Sequence, residues 1–358
     1  MRATLLFVMQ NIIQALTFSD VLLIPQRSAV KSRSQVSLKT RLTPKIEIDF
    51  PLISINMDCI TGVEMSIAMA KFGGISLYPR FAPPEIQAKE VKQVIDAGFN
   101  VIAAVGIKPG EVERVDALVS VGVEAITVDV AHAHQESCLE FIKIVKTKYP
   151  KLEIIAGVVA TYEGAKDLFL AGVDAVRVGI GTGSTCTTRI TTGSGMPQIT
   201  AIMEAFRAGQ EFGKPIIADG GMKNSGDIAK ALAAGANAVA TGNLLAGANE
   251  CPGSVFESDG KKYKEYNGST SRTEKLRQTE KNFSEKSPEY INFVEGIEGY
   301  VECRGPVSDI LNVLDKGLRS GLSYSGAFNI EELHQKARFV QVTNSITIEN
   351  NNRGVIKR

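Results

Sequence analysis

From residue 51 onward, short apolar runs alternate with longer amphipathic stretches. The short runs, rich in Val, Ile and Ala, lie at 51–56, 74–78, 101–105, 125–130, 153–159, 175–180, 215–219 and 238–242. Runs of this length between turn residues predict buried strands. Between them the apolar positions take a helical period, over 63–72, 85–97, 111–121, 137–148, 162–171, 197–212 and 225–234. Strand and helix alternating at this spacing predict a parallel sheet with right-handed crossovers. Eight such units fit an α/β chain folded as a (β/α)8 TIM barrel, with a doubly wound open sheet as the competing arrangement. Three helical stretches end in Ala-Gly, at Ala97-Gly98, Ala171-Gly172 and Ala234-Gly235, where glycine can take the left-handed C-cap that precedes the next strand.

The rhythm breaks at 252–300. That segment is polar and nearly without apolar periodicity between Asn267 and Pro288, so it reads as a long mobile flap or lid over the active site. Helical patterns return at 307–317 and 330–337 and close the domain. The division expected is an N-terminal extension at 1–14, one catalytic barrel domain at 15–344 and a polar tail at 345–358. The run Leu5-Leu6-Phe7-Val8-Met9 behind Arg2 is too short and too weakly charged for a signal peptide, and Met9 is an alternative start.

Composition narrows the function classes. A chain with 44% apolar and 22% charged residues is that of a soluble globular protein. A net charge of +1 offers no basic face for nucleic acid. No run of 18 or more apolar residues is present to span a bilayer, so no membrane partner is expected. Five scattered cysteines form neither a disulfide framework nor a CxxC zinc pair, which fits a reducing cytoplasm.

In a barrel of this kind the active site lies on the loops after the strands, and the chemically capable residues fall there. Asn56-Met57-Asp58 follows the first predicted strand, Asp129-Val130-Ala131-His132 the fourth, Asp219-Gly220-Gly221 the seventh and Thr241-Gly242-Asn243 the eighth. After the sixth runs Gly179-Ile180-Gly181-Thr182-Gly183-Ser184-Thr185-Cys186-Thr187-Thr188-Arg189. Its small residues leave backbone N–H and C=O groups uncovered, able to wrap a phosphate or an ion. A thiol among exposed amide dipoles is favoured as the nucleophilic thiolate. The plainer alternatives are a tight turn with a small buried cysteine, and helix-capping roles for Asp129 and Asp219. Glu295 has the alternative reading of a solvated charge on the lid. His132 and His134 are too few to ligate a metal by themselves.

With these residues in place the chain resembles the inosine monophosphate dehydrogenase and guanosine monophosphate reductase family. The similarity runs from Ala15 to about Asn344, in order, through 16–25, the Cys186 loop, 218–221, 225–228, 244–247, 263–266, 295–299 and 317–321. It implies that Cys186 attacks purine C2 and that hydride is exchanged between C2 and a nicotinamide cofactor, NADP or NAD. Thr188 and Glu295 match the pair that activates water or ammonia. Asp219 would hold the ribose hydroxyls, and Ser184, Gly220, Gly221, Gly242, Asn243, Tyr266 and Gly268 would surround the rest of the nucleotide. Asp129, Ala131 and Gly179 would face the cofactor, and the carbonyls of Gly181, Gly183 and Cys186 resemble a potassium site. The partners implied are a purine nucleoside monophosphate as substrate and further copies of the chain in a homotetramer.

The chain also departs from the family. The two CBS regulatory modules usual in dehydrogenases are missing, since 82–98 runs straight into the third strand. The flap arginine–tyrosine pair of dehydrogenases, whose arginine is the hydrolytic base, is replaced by Lys281-Asn282. Lysine, with a free pKa of about 10.4, offers little neutral amine at pH 7. Both departures point to GMP reduction with NADPH, with IMP dehydrogenation as the alternative and a catalytically inactive nucleotide-binding relative as a third. Val158, Tyr78-Pro79-Arg80 and 267–271 also differ from the usual family residues, and Asn243 stands where a phosphate-binding serine is usual.

Overall fold

Eight parallel strands close into a barrel in simple chain order. They are β1 (Leu52–Ser54), β2 (Ile75–Tyr78), β3 (Ile102–Val105), β4 (Ala125–Asp129), β5 (Glu153–Val159), β6 (Ala175–Val178), β7 (Ile216–Asp219) and β8 (Ala238–Thr241). Closure is made by β8 on β1, with Ala240 opposite Ile53. The computed structural model describes residues 12–281, 291–343 and 345–350. All eight expected strands are present, and the closed TIM barrel excludes the open sheet.

The crossovers are α1 (Val63–Phe72), α2 (Pro84–Asp96), α3 (Glu111–Ser120), α4 (Glu136–Lys148), α5 (Tyr162–Leu170), a short α6 (Thr188–Thr192), α7 (Gln198–Phe212) and α8 (Ser225–Ala233). Strands covered on both faces need apolar residues throughout, and Ile102, Ala103, Ala104 and Val105 are all fully buried. Each large aliphatic side chain buried in this way contributes roughly 1.5–3 kcal/mol. Gly98, Gly172 and Gly235 take positive φ after α2, α5 and α8, as the Ala-Gly endings predict.

One end of the barrel is plugged. The hairpin Thr40–Arg41 with Glu47–Ile48 precedes β1 and buries Leu42, Ile46, Ile48 and Phe50. Lys45 in its turn pairs with Glu153, the first residue of β5, at 2.9 Å. This hairpin therefore covers the N-terminal mouth and leaves the C-terminal mouth for chemistry. Val21–Leu23 pairs antiparallel with Phe339–Gln341, tying the two ends of the domain together.

Two segments differ from the sequence reading. The polar stretch 252–300 contains regular structure: a hairpin of β9 (Val255–Ser258) and β10 (Lys261–Glu265), helix α9 (Arg272–Lys281) and β11 (Tyr300–Glu302), which pairs with β10. The helix is invisible to hydrophobic periodicity because the face it buries is polar. The other is α10, which spans Val307–Tyr324 and does not stop at Gly317. A Cβ at Gly317 would lie 2.2 Å from Ser225 Oγ, and one at Gly321 would lie 3.0 Å from Ala229 Cβ. These glycines admit α8 at close range and do not mark a helix end. α11 (Ile330–Lys336) and α12 (Ile346–Glu349) follow. The run 5–9, the flap residue Asn282 and Asn344 lie outside the described residues.

Candidate active site

A cavity of about 670 Å³ opens at the C-terminal mouth, a volume that suits a small-molecule site. Cys186, Thr188, Glu295, Asp219, Asp129, Ala131, Gly179, Gly181 and Gly183 line it. These residues come from the C-terminal ends of β4 and β7, the loops after β4 and β6, and the segment after α9.

The Cys186 loop is held by backbone bonds from a distant part of the chain. Cys186 N–H donates to the Gly183 carbonyl at 3.1 Å, which tightens the turn. Thr187 N–H donates to the Glu295 carbonyl and Ile297 N–H to the Thr185 carbonyl, each at 2.9 Å, so 295–297 lies antiparallel along 185–187. Gly268 N–H then reaches the Ile297 carbonyl at 2.9 Å. This stitching brings Glu295 to Thr188 across 107 residues, with the Thr188 hydroxyl donating to Glu295 Oε2 at 2.8 Å. The same hydroxyl is 3.1 Å from Cys186 Sγ. Sulfur, hydroxyl and carboxylate form a continuous hydrogen-bonded chain on the cavity wall. Glu295 is thus joined to the thiol loop, which the alternative of a solvated lid charge does not describe.

A second chain of charges crosses the barrel mouth. Arg177, inside β6 and 3% exposed, donates through Nε (2.8 Å) and Nη2 (2.5 Å) to Asp219 Oδ2. Its Nη1 donates to Asp129 Oδ1 at 3.1 Å and to the Thr127 hydroxyl at 3.2 Å. Arg80 lies on the far side of Asp129, with Nε 3.7 Å from Oδ2, and packs over the Phe81 ring at 5.1 Å. Burial pushes the Asp219 carboxyl above its ordinary value, and Arg177 pulls against that shift. Burial opposes the charge on Arg177, but the two carboxylates hold the guanidinium protonated. Neither aspartate caps a helix here. Gly179 makes the approach possible, since a Cβ there would lie 2.3 Å from the Asp219 carbonyl oxygen.

The residues expected around the phosphate gather beside the cavity without lining it. Tyr266 Oη is 3.1 Å from Ser184 Oγ, and a Cβ at Gly242 would lie 3.2 Å from that phenol oxygen. Burial pushes the Tyr266 phenol up to about 12, so it stays a neutral donor. Gly220 and Gly221 pack against Thr182. Gly268 faces Thr185 and Gly296, and the Asn243 carbonyl accepts from Arg304 Nη1 at 3.3 Å.

The remaining candidates are separate from this cluster. His134 pairs with Asp167 at 2.8 Å, and the His132 ring is 6.3 Å away from it. Among the described residues, no group of three or more His, Cys, Asp or Glu is placed to hold a metal ion. No helix among the described residues is long and apolar enough to cross a membrane. Burial pushes the Cys59 thiol up to about 12, and those of Cys138 and Cys251 to about 11.

Sequence reasoning gave no site role to Arg177, Arg80, Lys275 or Gln278, all of which line the cavity. Arg177 left a signal, a lone charge inside the apolar run Ala175-Val176-Arg177-Val178. A charge in a buried strand needs a partner, and two aspartates, at the ends of β4 and β7, were available. Lys275 and Gln278 left none, because a polar helix in a polar segment has no contrast.

The model of the IMP dehydrogenase / GMP reductase domain matches residues 15–352. Inosine-5′-monophosphate dehydrogenase of Borreliella burgdorferi is 38% identical over 384 residues, covering 93% of this chain and 95% of that protein. GMP reductase of Leishmania major is 30% identical over 466 residues, covering 92% and 95%. The crystal structure of a GMP reductase variant from Trypanosoma brucei in complex with guanosine 5′-monophosphate superposes with a TM-score of 0.91 at 29% identity, covering 98% of this chain and all of that one.

Proposed function

The chain belongs to the IMP dehydrogenase / GMP reductase family, and from that premise we propose that it reduces GMP to IMP with NADPH through a covalent bond between Cys186 and purine C2. One observation carries the reading: the Cys186 thiol, the Thr188 hydroxyl and the Glu295 carboxylate stand in sequence, 3.1 Å and 2.8 Å apart, on the cavity wall.

Glu295, through Thr188, takes the thiol proton as sulfur bonds to C2, and the same pair hands that proton to the leaving amino group. Ammonia departs and a Cys186–purine thioimidate remains. Bound beside Asp129 and Ala131, NADPH would supply the hydride to C2. The carbon–sulfur bond then breaks, IMP leaves, and a solvent proton restores the thiol, so GMP, NADPH and one proton give IMP, ammonia and NADP⁺. Asp219, fixed by Arg177, holds the ribose, and Ser184, Gly221, Gly242 and Tyr266 hold the phosphate. Asp129, Ala131 and Val158 share the cavity lining with Arg80 and Lys108, whose positive charge suits the phosphates of a dinucleotide.

The replacement of the flap arginine–tyrosine pair by Lys281-Asn282 favours reduction, which needs no hydrolytic base. The missing regulatory insert does not bear on the choice. The Borreliella dehydrogenase aligns over 384 residues at 95% of its length, and the Leishmania reductase over 466 at 95%, so a short form carries the dehydrogenase name and a long form the reductase name. IMP dehydrogenation with NAD is the second reading, favoured by the 38% identity to a dehydrogenase and by a Thr188–Glu295 pair equally able to activate water. A homotetramer and a potassium ion on the carbonyls of Gly181, Gly183 and Cys186 complete the proposal, both supported by family resemblance.

Paired assays decide it. NADPH consumption with GMP, abolished in Cys186→Ala, is the expected result. NADH formation with IMP and NAD selects the second reading, and tight nucleotide binding with no turnover in either assay selects an inactive relative.

A further inference from the structure

A helix on a folded domain normally turns an apolar stripe inward. α9 does the reverse. Ser271, Glu274, Lys275 and Gln278 follow the i, i+3, i+4, i+7 spacing of a core-facing stripe and are 0%, 4%, 5% and 3% exposed. All four are polar, whereas Leu276, the single aliphatic residue of the helix, is 40% exposed. Buried polar groups are retained where polar partners hold them. Asn267 Nδ2 donates to Glu274 Oε1 at 3.1 Å, Gln278 Nε2 donates to the Ser269 carbonyl at 2.9 Å, and Lys275 Nζ donates to the Phe293 carbonyl. Lys275 and Gln278 also line the cavity that holds Cys186 and Glu295, next to Ser269 and Thr270.

We propose that Lys275 and Gln278 read the six-membered-ring edge of the bound purine, with the Lys275 ammonium donating to a 6-oxygen, so that the site selects 6-oxopurine nucleotides. The inference rests on the function proposed above. A purine that presents C2 to Cys186 and sends its ribose toward Asp219 turns C6 and its oxygen away from both. Ser269, Thr270, Lys275 and Gln278 line the same cavity and offer that edge polar groups. An ammonium has only donors, so it suits a carbonyl oxygen and opposes a 6-amino group. Addition of sulfur to C2 also moves electron density toward the 6-oxygen, where a desolvated cation stabilises it.

Calorimetry on the full chain without cofactor tests this, using IMP and purine riboside 5′-monophosphate, which lacks the 6-oxygen. The unaltered protein is expected to bind IMP at least about tenfold more tightly, the scale of one charge-assisted hydrogen bond. Lys275→Met should cut that preference to within about threefold by weakening IMP alone, a loss of under 1 kcal/mol remaining. Lys275→Arg, which keeps the charge, should retain most of it. An undiminished preference in Lys275→Met, or an equal loss for both nucleotides, overturns the assignment. Should the unaltered protein bind neither nucleotide, the purine-nucleotide reading itself fails and takes this inference with it.

Discussion

Arg177 and Asp219 are joined by two hydrogen bonds, from Nε and Nη2, to a single carboxylate oxygen in the barrel interior. The same guanidinium reaches Asp129, so one side chain orients the proposed ribose ligand and the proposed cofactor ligand together. A fork geometry is what allows this, since an ammonium presents a point charge.

Removing the guanidinium strands the Asp219 carboxylate and leaves Asp129 with Arg80 alone. Arg177→Leu should therefore cost about 3–5 kcal/mol of stability, the scale for breaking a buried pair. Arg177→Lys should cost less but weaken nucleotide binding. Urea unfolding followed by circular dichroism reads the first effect, and an unchanged midpoint in Arg177→Leu would show that the pair contributes nothing to the fold.

The proton path gives a kinetic prediction. Thr188→Val and Glu295→Gln should each lower kcat by about 10²–10⁴-fold, the range for lost acid–base catalysis. Thr188→Ser should recover most of the rate, because the hydroxyl that contacts Sγ is restored. Rates in Thr188→Val within a factor of about two of the unaltered enzyme would rule out the hydroxyl as the link.

Thiol chemistry should be selective. Cys59, Cys138 and Cys251 have thiols raised by burial to about 12, 11 and 11, so almost none is ionised at pH 7.5. Cys186 faces the cavity. Limited alkylation with iodoacetamide followed by peptide mass spectrometry should mark Cys186 ahead of those three, and bound nucleotide should protect it. Equal labelling of Cys59 would contradict the packing.

His334 supplies a pH dependence. Its Nε2 sits 3.0 Å from the Ala236 carbonyl, and burial lowers its pKa. As the pH falls, the unfolded chain takes up the proton first, so the stability this neutral ring contributes is present above about pH 6.5 and is lost as the pH drops toward the lowered folded value. Thermal melts of His334→Gln should fall less steeply than those of the unaltered protein between pH 7 and pH 5. Parallel curves would assign the acid sensitivity to other groups.

The apolar runs and their spacing determined the barrel, because a strand buried on both faces must be apolar and a crossover helix must show one face to it. Sequence placed Cys186, Asp129 and Asp219 at the strand ends for the same reason. Their partnerships were another matter. The bond from Thr188 to Glu295 spans 107 residues, and Arg177 reaches aspartates on two other strands. The polar stripe of α9 shows the limit most clearly: periodicity reports where a chain hides from water, and a helix that buries lysine and glutamine against a cavity leaves no such trace. Only closure of the barrel, which sets distant loops side by side, decided which charges meet.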